Sequence, residues 1–299
     1  MNFQLNAYKK YTNPLVVAVT LPSSTGLANY PFNAGVLNVK GLETTLNFSP
    51  IYRPQERFVL TFGLTGSMLN QRYDKFDSKL NSLNDELKSS NSFTRYRDGY
   101  SPTGLWTVKS LGIDPTTGRE VFMTKDGQHT FNYSTDNIVL VGDGQPLAEG
   151  VVRGTLSYKG FTANIMMRYI LRKDNFNTAL YNKVENISTA ILHSNQDKRA
   201  LHDRWQKPGD ISQFKAISLT TSTPISSRFI QTENTFSGES INIGYEFSNR
   251  SWLDKSKLSN LRLNGYMNDI FYSSTVLRER GLDYPFARSF SLSLSATFK

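Results

Sequence analysis

The histidines are the residues from which a metal site or an enzyme's acid–base machinery would most readily be built. His129, His193 and His202 all fall in segments with the polar composition of loops. The spacing of His193 and His202 is not that of a structural zinc pair, and the sequence contains no cysteine that could complete one. No nucleophile–base constellation can be assembled from neighbouring positions. The sequence therefore predicts no catalytic residue, no metal site and no cofactor.

The carboxylates and glycine turns support the same conclusion. Glu43, Asp136 and Glu239 lie in different segments, and nothing in the sequence pairs them. The Gly-Asp-Gly at 142–144 lacks the Lys-Ser/Thr and the helix that follow a phosphate-binding loop. The Asp-Pro-Thr-Thr-Gly at 114–118 invites a calcium interpretation, but it has too few carboxylates for an EF-hand. Both segments are interpreted as turns.

Trp205 and Arg204 form the one pair that is suited to contact a substrate. An indole face stacks on a sugar ring, and a guanidinium donates to hydroxyls or carboxylates. The alternative, which we favour, is that Trp205 anchors its own loop, since buried loop aromatics are common.

The element that organises these segments is the end of the chain, where apolar and hydroxyl residues alternate strictly. The apolar residues are Phe290, Leu292, Leu294, Ala296 and Phe298. A period of two predicts a β-strand with one apolar and one polar face. It fits either the closing strand of a membrane β-barrel, which faces lipid outward and water inward, or an edge strand of a soluble sandwich.

Repetition of the pattern favours the barrel. Residues 161–172 keep one face free of charge and carry Arg168 and Arg172 on the other face. Exposure to lipid requires this separation, because a charge at mid-bilayer costs about 2–4 kcal/mol. Similar alternation recurs at 3–8, 36–48, 58–68, 151–158, 240–247 and 261–268, and shorter extended segments are expected at 15–21, 105–111 and 119–124. The predicted fold is an all-β antiparallel transmembrane barrel with about nine strands in this chain.

Two polar segments interrupt the strands. Leu80, Leu83 and Leu87 fall at helical spacing within 77–90, which predicts a short amphipathic helix in a loop. Residues 174–227 form a long polar insertion with helical spacing around Val184 and Ile187. Barrels carry such long loops on the extracellular side.

Composition limits the alternatives. Apolar residues make up 38% of the 299 residues, and the mean hydropathy is −0.42. No run approaches the roughly 20 apolar residues of a membrane-spanning helix. The net charge of +9 is scattered among acidic and aromatic residues, without the basic run or helix that would indicate a nucleic-acid partner. The N-terminus has no secretory signal, so a fragment of an exported protein is expected.

Several motifs occur together in one order. They are Gly-Ile-Asp-Pro-Thr-Thr-Gly at 112–118, Lys-Asp-Gly at 125–127, Tyr-Lys-Gly-Phe at 158–161, Arg-Trp-Gln-Lys-Pro-Gly-Asp at 204–210, Ser-Ser-Arg-Phe at 226–229, Gly-Tyr at 244–245 and Tyr-Pro-Phe-Ala-Arg-Ser-Phe at 284–290. This series resembles the C-terminal part of the SusC/RagA-type TonB-dependent outer-membrane transporters of Bacteroidetes, over essentially all of residues 1–299.

The resemblance implies a 22-stranded barrel in the Gram-negative outer membrane, surrounded by its lipid, with an N-terminal plug and energised through TonB. It also implies import of oligosaccharides or peptides with a SusD-like surface lipoprotein as lid, and recognition of the last strand by the barrel-assembly machinery. The plug, the TonB-contacting segment and the signal peptide are not found in this sequence.

Two departures and two alternatives accompany the resemblance. Lys299 follows Phe298 where the family ends on an aromatic residue, and 235–238 is less apolar than expected. The chain could instead be a complete small outer-membrane barrel acting as a pore or adhesin. A soluble all-β carbohydrate-binding domain is a third possibility.

Overall fold

The fold was analysed in a computed structural model, which describes residues 1–76, 79–218, 221–248, 250–277 and 288–299. It contains thirteen strands within those ranges. In chain order they are β1 (Asn2–Thr20), β2 (Asn29–Arg53), β3 (Phe58–Asp74), β4 (Gly104–Val108), β5 (Ser110–Ile113), β6 (Glu120–Met123), β7 (His129–Thr130), β8 (Ile138–Asp143), β9 (Ala148–Tyr158), β10 (Phe161–Phe176), β11 (Ile230–Ser248), β12 (Leu258–Ser274) and β13 (Phe290–Phe298).

Eight of these strands form one large antiparallel sheet, in the order β1-β2-β3-β9-β10-β11-β12-β13. Apart from β3 and β9, strands that are neighbours in the sheet follow one another directly along the chain, as expected of an up-and-down barrel wall. Two small sheets, β4-β8 and β5-β6-β7, lie in the connection between β3 and β9.

The helices are short and lie between strands. They are α1 (Asn81–Ser89), α2 (Arg199–His202) and α3 (Ser251–Lys255), with a π-helix at Leu180–Glu185 and single 3-10 turns at Ser23–Thr25, Pro54–Glu56, Thr135–Asn137, Thr189–Ile191 and Ser227–Phe229. Among the described residues, no helix combines the length and apolarity needed to cross a bilayer.

One face of the large sheet carries no charged side chain over a continuous band, which we call the apolar row. The strand register places its members side by side across all eight strands. They are Phe3, Leu5 and Ala7; Leu42, Thr44, Leu46 and Phe48; Phe58, Leu60, Phe62, Leu64, Gly66 and Met68; Ala148, Gly150, Val152, Gly154, Leu156 and Tyr158; Phe161, Ala163, Ile165, Met167, Tyr169 and Leu171; Phe236, Gly238, Ile241, Ile243, Tyr245 and Phe247; Leu261, Leu263, Gly265 and Met267; Phe290, Leu292, Leu294, Ala296 and Phe298.

Within the height of the apolar row, the charged side chains of these strands lie on the opposite face. Glu43, Arg153, Arg168, Glu246 and Arg262 all lie there, because successive strand residues point to opposite faces. Arg168 Nε donates to Glu239 Oε1 at 3.1 Å on this face.

The height of the apolar row matches a bilayer. Ten residue steps separate Phe161 from Leu171 along β10, and about 3.3 Å per residue at a tilt of about 40° gives roughly 25 Å. That is the height of the lipid-facing band of an outer-membrane barrel.

The apolar row is not a protein core. Phe290, Leu292 and Leu294 are about two-thirds exposed, and Phe3 and Leu5 are more than half exposed. No second sheet covers this face within the described ranges. A soluble sandwich would bury it, so the sandwich interpretation is not supported.

The buried clusters lie instead at the end of the sheet where the long connections emerge. Leu80 and Leu83 of the α1 region pack with Phe76, Tyr73 and Val17. The predicted loop helix at 77–90 is therefore present from Asn81 to Ser89 and packs against its own sheet; residues 77–78 lie outside the described ranges.

Strand boundaries differ from the sequence prediction in two places. The segments predicted separately at 3–8 and 15–21 form one strand: β1 continues through Thr12 and Pro14 to Thr20, with register shifts at Thr12/Leu15 and Leu15/Val16. Proline is tolerated there because it lies at an irregularity of an edge strand, where a missing N–H costs no ladder bond.

The extended segments predicted at 105–111 and 119–124 form β4, β5 and β6 of the small sheets, so the wall has eight strands against the nine or so expected. Strands of four or five residues cannot span the apolar row, which requires about 9–11.

Candidate functional site

The long connections emerge at one end of the sheet, because antiparallel strands alternate in direction. The opposite end carries the short turn at 54–57, the Lys159-Gly160 turn and the segment that contains α3. The connections 75–147 and 177–229 share the first end with 21–28. These two long connections, which we call the loop module, form the candidate functional site.

The two connections are joined by backbone contacts. Val108 of β4 forms a parallel bridge with Ser226. Thr107 Oγ1 donates to the Ile225 carbonyl at 3.1 Å, and the Ser110 N–H donates to Ser227 Oγ at 2.9 Å. Residues more than a hundred positions apart are thereby held in register, so the loop module is one packed body.

A buried ionic cluster lies at this junction. Arg228 Nη2 contacts Glu120 Oε2 at 3.0 Å and Glu185 Oε1 at 2.8 Å, and the three side chains are 10%, 4% and 0% exposed. Ser226 Oγ donates to Glu120 at 2.6 Å, and Thr223 Oγ1 donates to Glu185 at 2.8 Å. Buried charges persist only when paired and hydrogen-bonded in this way.

Electrostatics keeps Arg228 charged. Burial lowers the pKa of the guanidinium, but hydrogen bonds to Glu185 and Glu120 and their negative charges outweigh it, so the pKa is raised overall. Its Cζ also lies 4.5 Å from the Phe229 ring centroid. Two carboxylates from different connections thus share one cation.

Sequence analysis missed this cluster. It used 226–229 as a family motif without giving Arg228 a role, and it interpreted the region of Glu120 only as extended. Arg228 lies 108 positions from Glu120 and 43 from Glu185. No local spacing links residues so far apart, and a long-range pairing of this kind becomes visible only in the fold.

Arg204 and Trp205, the predicted substrate pair, lie in the same junction with different environments. Arg204 is buried and donates to the carbonyls of Lys215 at 3.0 Å and Glu185 at 2.8 Å, and also to that of Val184. Burial lowers its pKa. Both Nη atoms of its guanidinium are therefore occupied by backbone carbonyls.

Trp205 bridges two of the family motifs. Its Nε1 donates to the Pro115 carbonyl at 2.8 Å, and the Gly209 N–H donates to the same oxygen at 2.9 Å. The indole lies directly over Gly118, where a Cβ would collide with its ring. Trp205 therefore fastens the 204–210 turn to the 112–118 turn of the other connection, whereas anchoring within its own loop was favoured from the sequence. Substrate contact by the pair stays a prediction.

The turn beneath Trp205 is held by one carboxylate. Asp114 accepts from the N–H groups of Thr116 and Thr117 at 3.3 and 3.1 Å and from Thr117 Oγ1 at 2.6 Å. The Thr117 hydrogen bond is the main cause of its lowered pKa. The carboxylate serves the turn, as predicted, and no group of three metal-ligating side chains occurs among the described residues.

A cavity of about 470 Å³ opens between α1 and the β4-β8 sheet. Its wall includes four cations and two aromatic residues: Lys88, Arg95, Arg97, Lys125, Tyr96 and Trp106. Arg97 stacks on Tyr100 and Trp106, at 5.6 and 5.9 Å from the ring centroids. Such a lining suits a ligand with acidic groups or sugar faces.

Two hydrogen-bond donors in this wall are unused. Arg95 Nη2 and Trp106 Nε1 are buried, and neither has a hydrogen-bond partner in the part of the chain that the structure describes. An unsatisfied buried donor costs about 1–3 kcal/mol. Neither atom is exposed to the cavity, so both donors lie inside its wall.

The three histidines are distributed across the loop module without forming a site. His129 lies in β7, His202 ends α2, and His193 follows the 3-10 turn Thr189–Ile191; all three are exposed.

The predicted barrel-assembly residues form β13. Phe290, Leu292 and Leu294 pair with Met267, Gly265 and Leu263 of β12, and their outer side chains are exposed. Of the 284–290 motif only residues 288–290 lie within the described ranges.

Comparison with known proteins supports this fold. No protein-family model matches the chain. A TonB-dependent receptor P39 of Formosa agariphila is 22% identical over 326 aligned positions, covering 91% of this chain and 30% of that protein.

Solved structures give the same result. The RagAB peptide transporter matches 92% of this chain with a TM-score of 0.75 and 18% identity, and the RagAB peptide importer in the open-open state matches 99% with a TM-score of 0.77 and 17% identity. The chain covers 30–32% of those two chains. The predicted fold, a portion of an antiparallel transmembrane β-barrel, is thus confirmed.

The chain therefore spans about a third of the length of its relatives. These likenesses agree with the resemblance indicated by the motifs: the chain is similar in sequence to a TonB-dependent receptor and in fold to the RagAB structures.

Proposed function

We propose that this chain is the C-terminal barrel segment of an outer-membrane importer of oligosaccharides or peptides. In this proposal residues 1–299 line one side of a 22-stranded barrel, and the plug and the TonB-contacting segment belong to the rest of the protein. A SusD-like lipoprotein forms the lid, and β13 is the strand that the barrel-assembly machinery recognises. The membrane is that of a Gram-negative, Bacteroidetes-like bacterium.

The observation that carries the proposal is the apolar row. Eight neighbouring strands keep it free of charge over about 25 Å, which is the requirement for contact with lipid. The opposite face carries the charged residues that a water-filled interior accommodates. The P39 receptor and the RagAB peptide transporter support the same assignment.

The loop module supports an orientation in which its end of the sheet faces the outside of the cell. Outer-membrane barrels have short periplasmic turns and long extracellular loops, and the connections of this sheet segregate in the same way. The loop module would then meet nutrient first. Its cationic and aromatic cavity is a candidate substrate site, as are Trp205 and Arg204.

A complete small barrel is the less favoured alternative. An eight-stranded barrel would close by pairing β1 with β13. In the described ranges β1 pairs only with β2, and β13 only with β12.

Single-cysteine labelling tests which face meets lipid, since residues 1–299 contain no cysteine. In the complete protein, a bimane label at L292C or L294C lies on the apolar row, and the same label at S291C or S293C lies on the opposite face. Doxyl lipids should quench the first two labels and spare the others. Equal quenching at all four positions would refute the membrane assignment.

Uptake tests the transport proposal. Cells carrying the complete gene should accumulate labelled oligosaccharide or peptide, and deletion of TonB should abolish this accumulation. The control is accumulation of glucose, which is small enough to diffuse through general porins and should not change. Accumulation of the larger nutrient that is unchanged without TonB would contradict an energised importer.

A further inference from the structure

Two lysines face each other directly on the lipid-facing side of the sheet. Lys9 of β1 is the register partner of Lys40 of β2, and Lys40 is in turn the register partner of Asn70 of β3. We call such a row of register partners across neighbouring strands a rung. Both lysines are exposed. Like charges directly opposite on neighbouring strands are destabilising, so the pair indicates an anion that the protein itself does not supply.

The pair lies at the boundary of the apolar row. The rung before it is Ala7, Leu42 and Met68, which is the last apolar rung toward the loop module. The rung after it contains Arg72. These cations are therefore located where the hydrocarbon ends and lipid headgroups begin.

A cleft of about 600 Å³ gathers the cations. Lys40, Arg72 and Arg172 line it, where β3 separates from the chain that enters β9. Arg172 lies at a register shift of β10, which removes it from the alternation expected between the two faces. No ion pair involving them or Lys9 is present among the described residues; Arg72 Nη1 donates to its neighbour's carbonyl at 3.2 Å.

The carboxylates of the cleft serve the loop module. Asp143 accepts from Thr103 Oγ1 at 2.5 Å and from the Gln145 N–H at 2.9 Å. Asp174 accepts from the Asp143 N–H at 2.9 Å and from Thr232 Oγ1 at 2.7 Å. Neither carboxylate forms an ion pair with the cations that line the cleft, all of which the structure describes.

We propose that Lys9, Lys40, Arg72 and Arg172 bind the phosphate of an outer-leaflet lipid. The inference rests on the proposed function, because it needs the loop-module end to lie in the outer leaflet. A phosphate monoester supplies the missing negative charge and accepts several charge-assisted hydrogen bonds. Its acyl chains lie along the apolar row directly below.

The test counts lipids bound to the complete protein by native mass spectrometry, with dioctanoyl phosphatidic acid as the probe. The K9S/K40S variant should bind it about 10-fold more weakly, the loss of roughly one charge-assisted contact. The control, K10S/K79S, removes equal charge: Lys10 is the neighbouring residue on the opposite face, and Lys79 is an exposed loop residue. It should bind within about two-fold of the parent.

The site is overturned by no binding in the parent protein, by unchanged binding in K9S/K40S, by equal weakening in both double variants, or by inorganic phosphate competing at the concentration of the lipid. The last would indicate a site for free anion. K9R/K40R keeps the charge and should keep the binding, which separates charge from folding. If doxyl lipids quench the bimane labels at L292C and L294C but K9S/K40S binds the lipid as the parent does, this inference is refuted and the proposed function stays intact.

Discussion

Arg228 is the residue on which the loop module depends most. It is the cation that two buried carboxylates from different connections share. Truncating one partner of a buried ion pair leaves an unpaired charge, which is costlier than replacing the whole cluster by apolar groups.

We expect Arg228→Met to open the loop module locally. The variant removes the cation at similar side-chain length and leaves Glu120 and Glu185 facing each other. The free energy of local opening, measured by hydrogen exchange over 104–123 and 180–229, should fall by about 3–5 kcal/mol.

Arg119→Met is the control for this variant. Arg119 is exposed beside Glu120 and stacks on the exposed ring of Phe131. Its replacement should therefore lower the free energy of local opening by about 1 kcal/mol or less. Equal hydrogen-exchange protection in the Arg228 and Arg119 variants would contradict a structural role for the buried ionic cluster.

Gly118 offers a second test at this scale, because two motifs meet over it. Its φ of 69° is in the left-handed region, and a Cβ there would collide with the Trp205 ring. Gly112 has a φ of 99°, but a Cβ there meets nothing within 4 Å. Both alanine variants therefore suffer backbone strain of about 1–2 kcal/mol, and only Gly118→Ala displaces the indole.

The readout is the fluorine NMR resonance of Trp205 in the complete protein labelled with 5-fluorotryptophan. The resonance is assigned by its absence in Trp205→Phe. Gly118→Ala should move it toward the position of solvent-exposed indole, and Gly112→Ala should leave it in place. A shift of the same size in both alanine variants would show that strain, not the indole contact, is responsible.

Among the elements, the long strands were predictable because each carries its own signal. In β13 alternation alone fixes which side chains share a face, and the same holds for Phe161 to Leu171 in β10. The segment 105–111 was also predicted to be extended, yet it folds into the short strands β4 and β5. Strand length distinguishes the strands of the large sheet from the short strands of the loop module. A local sequence pattern does not show how long a strand's pairing partner is.

The candidate site was less predictable. The turn at Asp114 and the anchoring of Trp205 follow from local residue types, whereas Arg228, Glu120 and Glu185 meet through tertiary folding. Chain order brings the two long connections to the same end of the sheet, but no residue pattern specifies their register.

The apolar row makes a prediction for β10. Ile165 lies near the middle of the row, and Asn164 points to the opposite face. In the complete protein, Ile165→Lys should lower the free energy of unfolding in lipid by about 2–4 kcal/mol, because it places a charge near the bilayer midplane. Asn164→Lys is the matched control and should change stability by about 0.5 kcal/mol or less. Denaturant titration in lipid vesicles measures both, and a larger loss for Asn164→Lys would reverse the assignment of the two faces.

At the scale of the molecule, the sheet is a wall with two open edges. The outer edge of β1 and that of β13 each expose backbone N–H and C=O groups within the described ranges. A bilayer does not tolerate such edges, because each unpaired group there costs several kcal/mol. The eight strands therefore need further strands on both sides, which agrees with a chain that covers about a third of its relatives.

Residues 1–299 expressed alone should consequently not form a stable barrel. Refolded into detergent, the isolated chain should run at one position in electrophoresis with or without boiling, and it should give no channels in planar bilayers. The complete protein should show a heat-dependent shift, since only a closed barrel has all of its backbone groups paired. A heat-modifiable monomer with discrete conductance from residues 1–299 would instead establish the complete small barrel, and the open edges of β1 and β13 would then have to pair with each other.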